Sequence, residues 1–225
     1  MEILVPPANQ APAFRAVLFD FDGTLADSYP GIAASVNHVR AHHGLPPLTV
    51  DEVRIHVGRG PAHLLENTVP AGTIAGNVAR YKAHHPSVMK SGTNLFPGVL
   101  TALTELKRQG LRLAICSNKP RAFTVELLTH FQLADLLNAI LGPEDVPRPK
   151  PAPDMLKKGL TRLEVSAAEA LYVGDMVVDI ETARGAGVAV WVVPTGSDEP
   201  AALHAAQPDR VLESIQQLPA LIRPA

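Results

Sequence analysis

Short apolar runs alternate with amphipathic stretches along most of this chain of 225 residues. The apolar runs have the length of buried strands and cover residues 16–19, 111–116, 139–141, 171–173 and 188–193. Helical patterns lie between several of them; Val99, Leu103 and Leu106, for example, share one helix face before Gly110. Strands that alternate with helices predict βαβ units. We therefore predict an α/β fold with a Rossmann-like, doubly wound parallel sheet that has helices on both faces.

The stretch from about residue 30 to residue 85 differs from the rest of the chain. It contains no convincing strand pattern, only helix-like stretches such as 31–43 and 61–67, separated by glycine and proline residues. This pattern predicts an all-helical domain inserted after the first strand of the core. We expect residues 1–27 and 93–225 to form the catalytic core and residues 28–92 to form a helical cap domain.

The composition excludes several classes of function. A hydrophobic content of 46% with 19% charged residues is typical of a soluble globular protein. The formal charge of −2 and the aromatic content of 4% provide neither a basic patch nor a stacking surface, so we expect no nucleic-acid partner. The longest apolar run, 188–193, is too short to span a bilayer, so we also expect no membrane partner.

The expected location is the cytoplasm. The N-terminal segment MEILVPPANQAPAF lacks the positive region and apolar core of a secretory signal, and its composition predicts a loose lead-in to the first strand. Cys116 is the single cysteine, which excludes an internal disulfide and fits a reducing compartment.

Polar residues follow three of the predicted strands at the point where each strand ends. The first strand is followed by Asp20 and Asp22, and then by Gly23 and Thr24. The second is followed by Ser117, Asn118 and Lys119, and a later strand is followed by Asp175, with Asp179 four residues further on. Ligands of doubly wound sheets bind at the carboxyl ends of the strands, so we expect these side chains to converge. Lys150 stands between two prolines and adds a cation from a stiff loop.

The predicted convergence indicates phosphate chemistry. Several carboxylates in one place repel each other, and a Mg²⁺ ion, which prefers oxygen ligands, would resolve that repulsion. A hydroxyl, an amide, a lysine and the backbone N–H groups after Asp20 are suitable phosphate ligands. A metal, a phosphate site and a poised carboxylate together predict phosphoryl transfer through an aspartyl-phosphate.

Four motifs in this order, DFDGT, CSNKP, the Lys150-Pro151 loop and GDMVVD, resemble those of the haloacid dehalogenase superfamily of phosphatases. The resemblance covers nearly the whole chain, including the helical insertion. The stretches DSYPGI, VGRGPAHLL and LFPGV are most similar to the phosphoglycolate phosphatase branch. The resemblance implies a Mg²⁺-dependent hydrolase of a small phosphorylated metabolite, which acts as a monomer or homodimer.

The resemblance also implies roles for four acids. Asp20 would be the nucleophile and a metal ligand, and Asp22 would be the general acid and base, with its backbone carbonyl on the metal. Asp175 would complete the metal site. Asp179 would orient either the waters of the metal or the lysine at position 150.

Four further residues are expected to bind the substrate. The resemblance implies that Ser117, with the neighbouring Asn118, binds the phosphoryl oxygens, and that Lys150 neutralises charge on the nucleophile and the phosphate. Arg59 lies in a glycine-flanked loop of the predicted cap, and we hypothesise that its guanidinium binds a substrate carboxylate. The alternative is that Arg59 simply faces solvent.

Other functions remain open at this point. A pyrophosphatase, another phosphomonoesterase, or a phosphomutase of the β-phosphoglucomutase type would use the same residues. A carbon–halogen hydrolase is disfavoured because it would not need an acid at Asp22. Phosphonate cleavage would need a cap lysine near the glycine loop, whereas Lys82 and Lys90 come late in the cap. A catalytically silent binding module is disfavoured because every motif position is filled.

Overall fold

The computed structural model describes residues 13–224, so almost all of the predicted N-terminal lead-in lies outside the described residues. The strands of this part of the chain are Ala13–Phe14 (β1), Ala16–Phe19 (β2), Ala26–Asp27 (β3), Asn94–Leu95 (β4), Arg112–Cys116 (β5), Ala139–Leu141 (β6), Ala170–Gly174 (β7), Ala189–Val192 (β8), Arg210–Val211 (β9) and Arg223–Pro224 (β10). Its α-helices are Tyr29–His42 (α1), Val50–Arg54 (α2), Gly60–Thr68 (α3), Ile74–His84 (α4), Val99–Arg108 (α5), Arg121–His130 (α6), Asp154–Leu163 (α7), Val177–Ala186 (α8), Pro200–Ala205 (α9) and Leu218–Leu221 (α10).

Six strands form one parallel sheet in the order β6-β5-β2-β7-β8-β9. In its centre, Val17 of β2 lies opposite Leu113 of β5 and Leu171 of β7. The five predicted strands are β2, β5, β6, β7 and β8, and each agrees with its apolar run to within two residues. The edge strand β9 was not predicted, because two residues are too short to show a periodic pattern.

The central strands bury both of their faces. Val17 and Phe19 belong to one hydrophobic cluster, whereas Ala16 and Leu18 of the same strand belong to a second cluster. Alternate side chains of a strand point to opposite faces of the sheet, so each cluster covers one face. The predicted doubly wound α/β architecture is therefore confirmed.

Residues 29–87, which we call the helical segment, contain α1 to α4 and a short 3₁₀ turn, His85–Ser87. Its helices have conventional start signals; the Thr49 hydroxyl, for example, accepts from the backbone N–H of Glu52 in a capping box at α2. Val36 and Val39 of α1 are fully buried and join the same cluster as Phe19 of the sheet. The helical segment thus packs on one side of the core, and the division of the chain into two domains stays a prediction.

A short antiparallel pair, β3 with β4, joins the two connections between the sheet and the helical segment. Ala26 lies opposite Leu95, and Asp27 lies opposite Asn94. The sequence did not predict this pair, because its partners stand far apart in the chain and each strand has only two residues. Among residues 13–224, no helix combines the length and the apolar character that a bilayer span requires.

Candidate active site

The carboxyl ends of three neighbouring strands carry the predicted site residues. Asp20 follows β2, Ser117 follows β5 and Asp175 follows β7, and the three side chains are buried. Because β5, β2 and β7 are adjacent in the sheet, these strand ends meet at one edge. The structure therefore brings together the residues that the strand-end pattern singled out.

Three aspartates form a buried acidic cluster at this edge. Carboxylate oxygens of Asp20, Asp175 and Asp179 lie within 4.8 Å of one another. Burial raises the pKa of Asp20 to about 6, the charge of Lys150 opposes this rise, and the charge of Asp179 adds to it. Burial and repulsion by Asp179 and Asp20 raise the pKa of Asp175 well above its usual range. A cation among these oxygens would offset both the cost of burying charged carboxylates and their mutual repulsion.

One oxygen of the cluster is left without a partner. The Thr24 hydroxyl donates to Asp175 Oδ1, whereas Asp175 Oδ2 is buried with no hydrogen-bond partner. An unpaired carboxylate oxygen buried beside other carboxylates is unfavourable unless a cation completes its contacts. The donor set consists only of oxygens, which suits a hard divalent cation. The residues present therefore fit a divalent metal.

Gly23 allows the chain to turn tightly beneath Asp175. Its φ angle of +85° lies in the left-handed region that favours glycine. A methyl group at this position would overlap Asp175 Oδ2 and would lie 2.5 Å from the hydroxyl of Tyr29. Gly23 is thus required for both its backbone angle and the close approach of the acid.

Lys150 is held at the centre of a buried charge network. Its ammonium lies 2.8 Å from Asp20 Oδ2 and 2.7 Å from Asp179 Oδ1, and it donates to the Tyr172 hydroxyl at 3.0 Å. Asp179 Oδ2 accepts two backbone N–H groups at the start of α8, at 3.1 Å each. Both oxygens of Asp179 are therefore occupied, which favours the predicted role in orienting Lys150 over a role in orienting waters.

The side chain of Asn118 positions two loops. Its Oδ1 accepts from the backbone N–H of Lys150, and its Nδ2 donates to the carbonyls of Lys150 and Gly58, each at 3.0 Å. These bonds use both N–H groups of the amide. The amide joins the lysine loop to the helical segment, and its predicted contact with phosphate stays a prediction. Ser117 lines the cavity described below.

Asp22 pairs with Lys119, which was expected at this edge of the sheet but without a role, and with Ser28, which was not expected there. The Lys119 ammonium lies 3.0 Å from Asp22 Oδ1 and 3.3 Å from Oδ2, and the Ser28 hydroxyl donates to Oδ1 at 2.5 Å. The Lys119 side chain is only 3% exposed. Lys119 stands two residues after Ser117 at the same strand end, and this position was the sequence feature that could have indicated a role for it in the site.

A small cavity of about 40 Å³ lies between these residues and the helical segment. Asp20, Asp22 and Lys119 are the charged residues that line it, among the described residues. A single water needs roughly 10–15 Å³, so the cavity holds a few water-sized groups. It suits a small molecule better than a macromolecular substrate.

Arg59 is exposed and does not line this cavity. It lies instead in a separate depression with Met176 and Asp198. The structure therefore does not bring Arg59 to the acids, and its role as a substrate ligand stays a prediction. A different arginine, Arg54, links the helical segment to the core by donating to the carbonyls of Thr195 and Gly196 at 2.9 and 2.5 Å.

Gly196 packs against Asp175, and its replacement by alanine should weaken metal binding. The added methyl group would overlap Asp175 Oδ2, so the carboxylate would have to move away from the other acids. We expect divalent-metal affinity to fall about tenfold or more, as it does when ligands lose their supporting shell. Titration calorimetry with Mn²⁺ measures this change.

Gly185→Ala is the matched control, because its methyl group would meet its nearest neighbouring atom at an ordinary 3.4 Å. Equal Mn²⁺ affinities of Gly196→Ala and the unmodified protein would contradict the assignment of Asp175 to the metal.

Comparison with known proteins identifies relatives over most of the chain. Residues 17–193 match the family model of the haloacid dehalogenase-like hydrolases. The plasmid-encoded phosphoglycolate phosphatase of Cupriavidus necator is 36% identical over 93% of this chain and 94% of its own length. The phosphoglycolate phosphatase of Rhodospirillum rubrum is 36% identical over 84% of this chain and 83% of its own. A crystal structure assigned as a haloacid dehalogenase-like hydrolase from Bacteroides fragilis superposes with a TM-score of 0.86 and 33% identity, over 91% of this chain and 99% of that one.

Proposed function

This chain belongs to the haloacid dehalogenase-like hydrolases, and we propose that within this family it is a Mg²⁺-dependent phosphatase whose substrate is 2-phosphoglycolate. The observation that carries the proposal is the buried Asp20 carboxylate. It stands at a strand end beside the Lys150 ammonium and the unpartnered oxygen of Asp175, and it opens to a cavity of small-molecule size.

Asp20 acts as the nucleophile. One of its carboxylate oxygens attacks phosphorus, and the bond from phosphorus to the ester oxygen breaks, which leaves an aspartyl-phosphate and glycolate. Water then attacks the phosphorus of the aspartyl-phosphate, and inorganic phosphate and the free carboxylate are regenerated. Lys150, at 2.8 Å from Asp20, offsets negative charge on the carboxylate and on the phosphoryl oxygens.

Asp22 moves the protons. It gives a proton to the departing glycolate oxygen and takes one from the attacking water, so each cycle leaves it unchanged. Asp20, Asp175 and the backbone carbonyl of Asp22 would hold the Mg²⁺ ion, which supplies positive charge to the phosphoryl oxygens when bound. The Ser117 hydroxyl lines the cavity and binds a phosphoryl oxygen.

The choice of 2-phosphoglycolate rests on two supports. The relatives from Cupriavidus necator and Rhodospirillum rubrum carry the name phosphoglycolate phosphatase. The cavity is small, and Lys119 is the lysine that the described part of the chain places on it, which suits a small substrate with a second negative charge. Residues 28–92 form the cap in this proposal, and the cap closes over the cavity to exclude water. The single cysteine supports a place in the reducing cytoplasm.

Phosphate release from a substrate panel tests the proposed function. The panel contains 2-phosphoglycolate, pyrophosphate, a hexose phosphate and an aryl phosphate, each with Mg²⁺ and with a chelator in excess. We expect 2-phosphoglycolate to give the highest kcat/KM, and we expect the chelator to abolish release because the acids lose the cation that they share. Restoration by added Mg²⁺ controls for damage by the chelator.

Two results would contradict the proposal. Undiminished release in excess chelator would exclude the metal. A higher kcat/KM for pyrophosphate or the hexose phosphate than for 2-phosphoglycolate would exclude 2-phosphoglycolate as the preferred substrate.

A separate experiment distinguishes hydrolysis from a phosphomutase reaction. Labelled oxygen from the solvent is incorporated into the released phosphate only when water attacks the aspartyl-phosphate.

A further inference from the structure

We propose that Lys119 is the residue that binds the carboxylate of the substrate, and that in doing so it leaves Asp22. The substrate class is the phosphate ester of a short α-hydroxy acid. This inference rests on the proposed function and deepens it, because it assigns the part of the site that distinguishes such esters from neutral ones.

The charges around the cavity single out Lys119. Among the described residues that line the cavity it is the one lysine or arginine, since Lys150 is buried behind Asp20 and Arg59 lines a separate depression. The Lys119 ammonium is buried, and Asp22 is the acceptor that the described residues provide for it. The ammonium stands on a flexible four-carbon stem and carries three N–H donors, so it can pass from Asp22 to an anion placed beside it.

The wall on the side of the helical segment carries no charged side chain among the described residues, and Tyr81 is the polar side chain in it. Ile32, Val57 and Leu64 line the cavity there, and Phe123 adds an apolar surface from α6. A carboxylate placed against these side chains would lose its water without gaining a hydrogen bond, which is unfavourable. A second negative charge on the substrate therefore has its most favourable position beside Lys119, the cation that the described residues place on the cavity.

Distances limit the length of the substrate. Asp22 must contact the ester oxygen that leaves, and the Lys119 ammonium lies 3.0 Å from the Asp22 carboxylate. A carboxylate bound at Lys119 must therefore lie close to the ester oxygen. A phosphate ester on the α-carbon of an acid places the two groups this close, whereas each further carbon between them moves the carboxylate away from Lys119.

Binding of the carboxylate would change the partners of Asp22. When Lys119 turns to the substrate, Asp22 keeps the hydrogen bond from Ser28, at 2.5 Å, and is freed from its ion pair. A neutral ester leaves Lys119 on Asp22. Carboxylate recognition is thus coupled to release of the acid that serves the leaving group.

The test compares 2-phosphoglycolate with ethyl phosphate, which has a methyl group in place of the carboxylate. We expect Lys119→Met to reduce the ratio of their kcat/KM values by about 30-fold or more, as expected for loss of a buried charge pair. Lys119→Arg, which keeps the charge, should retain most of the preference. Lys82→Met removes an exposed lysine of the helical segment and should leave the ratio as in the unmodified protein.

A binding measurement covers variants that turn over too slowly. Calorimetry of the Mg²⁺-loaded protein with 3-phosphonopropionate and with propylphosphonate compares the same two end groups without hydrolysis. Lys119→Met should lose the preference for 3-phosphonopropionate, and Lys119→Gln serves the same purpose if thermal unfolding shows that the methionine variant does not fold.

The inference would be overturned if Lys119→Met kept the preference of the unmodified protein for 2-phosphoglycolate over ethyl phosphate. It would also be overturned if Arg59→Met lost as much of this preference as is expected for Lys119→Met. Failure of the proposed function has a different signature, because then the unmodified protein itself releases no phosphate from 2-phosphoglycolate. An active unmodified protein whose preference survives in Lys119→Met refutes the role of Lys119 alone.

Discussion

Asp20→Asn should lower phosphate release by at least about 10⁴-fold, the scale of loss seen when a catalytic nucleophile is removed. Asparagine has nearly the shape of aspartate and fits the same buried position, but its amide does not form an acyl-phosphate. The loss should be in kcat, because phosphate binding by Lys150 and the metal remains in part. Steady-state kinetics with 2-phosphoglycolate and with an aryl phosphate measure the effect.

Asp51→Asn is the matched control for this substitution, since Asp51 is exposed on α2, outside the cavity. Its kinetics should equal those of the unmodified protein. If Asp20→Asn keeps more than about one-tenth of the activity, Asp20 is not the nucleophile, and the covalent mechanism is wrong.

Lys150→Met should strongly destabilise the fold. The Lys150 side chain is fully buried, and its ammonium forms ion pairs with both Asp20 and Asp179. Removing one partner of a buried ion pair leaves an uncompensated charge and costs about 3–5 kcal/mol. We expect the free energy of unfolding, measured by urea denaturation without metal, to fall by about this amount.

An exposed lysine provides the control for this experiment. Lys157→Met, on α7, should change the free energy of unfolding by no more than about 0.5 kcal/mol. The double variant Lys150→Met/Asp20→Asn should lose less than the sum of its parts, because it removes one of the unpaired charges. If Lys150→Met lowered the free energy of unfolding by less than about 1 kcal/mol, the stability of the fold would not depend on the ion pairs of Lys150 with Asp20 and Asp179.

The strands and the strand-end residues could be predicted because both leave a local trace in the sequence. A buried parallel strand shows as a continuous apolar run, and Asp20, Ser117 and Asp175 each lie within two residues of the end of such a run. The general rule for doubly wound sheets then places these ends together. The sequence pattern and this rule together were enough to predict that Asp20, Ser117 and Asp175 lie close to one another.

The contacts that the sequence did not reveal connect distant parts of the chain. Asp22 and Lys119 stand 97 positions apart, and Arg54 and Gly196 stand 142 positions apart. No periodicity records which side chains meet when the helical segment packs on the core. For the same reason the glycine-flanked loop indicated Arg59, although packing leaves Arg59 outside the cavity.

Two-residue strands were also beyond the reach of sequence patterns. The β3–β4 pair is stabilised by partners brought together by the rest of the fold, so its residues need no strand propensity of their own. The pair lies where the chain enters and leaves the helical segment. It therefore belongs to the region that any motion of a cap would involve.

The central claim is that Asp20 carries the phosphoryl group during turnover, and chemical quenching followed by mass spectrometry tests it most directly. The protein is mixed with 2-phosphoglycolate and Mg²⁺, quenched in acid within one turnover, digested and sequenced by fragmentation. We predict one phosphoryl group on the carboxyl of Asp20 and none in Asp20→Asn. A phosphoryl group on any other residue, or rapid phosphate release with no phosphorylated protein at any quench time, would contradict the mechanism.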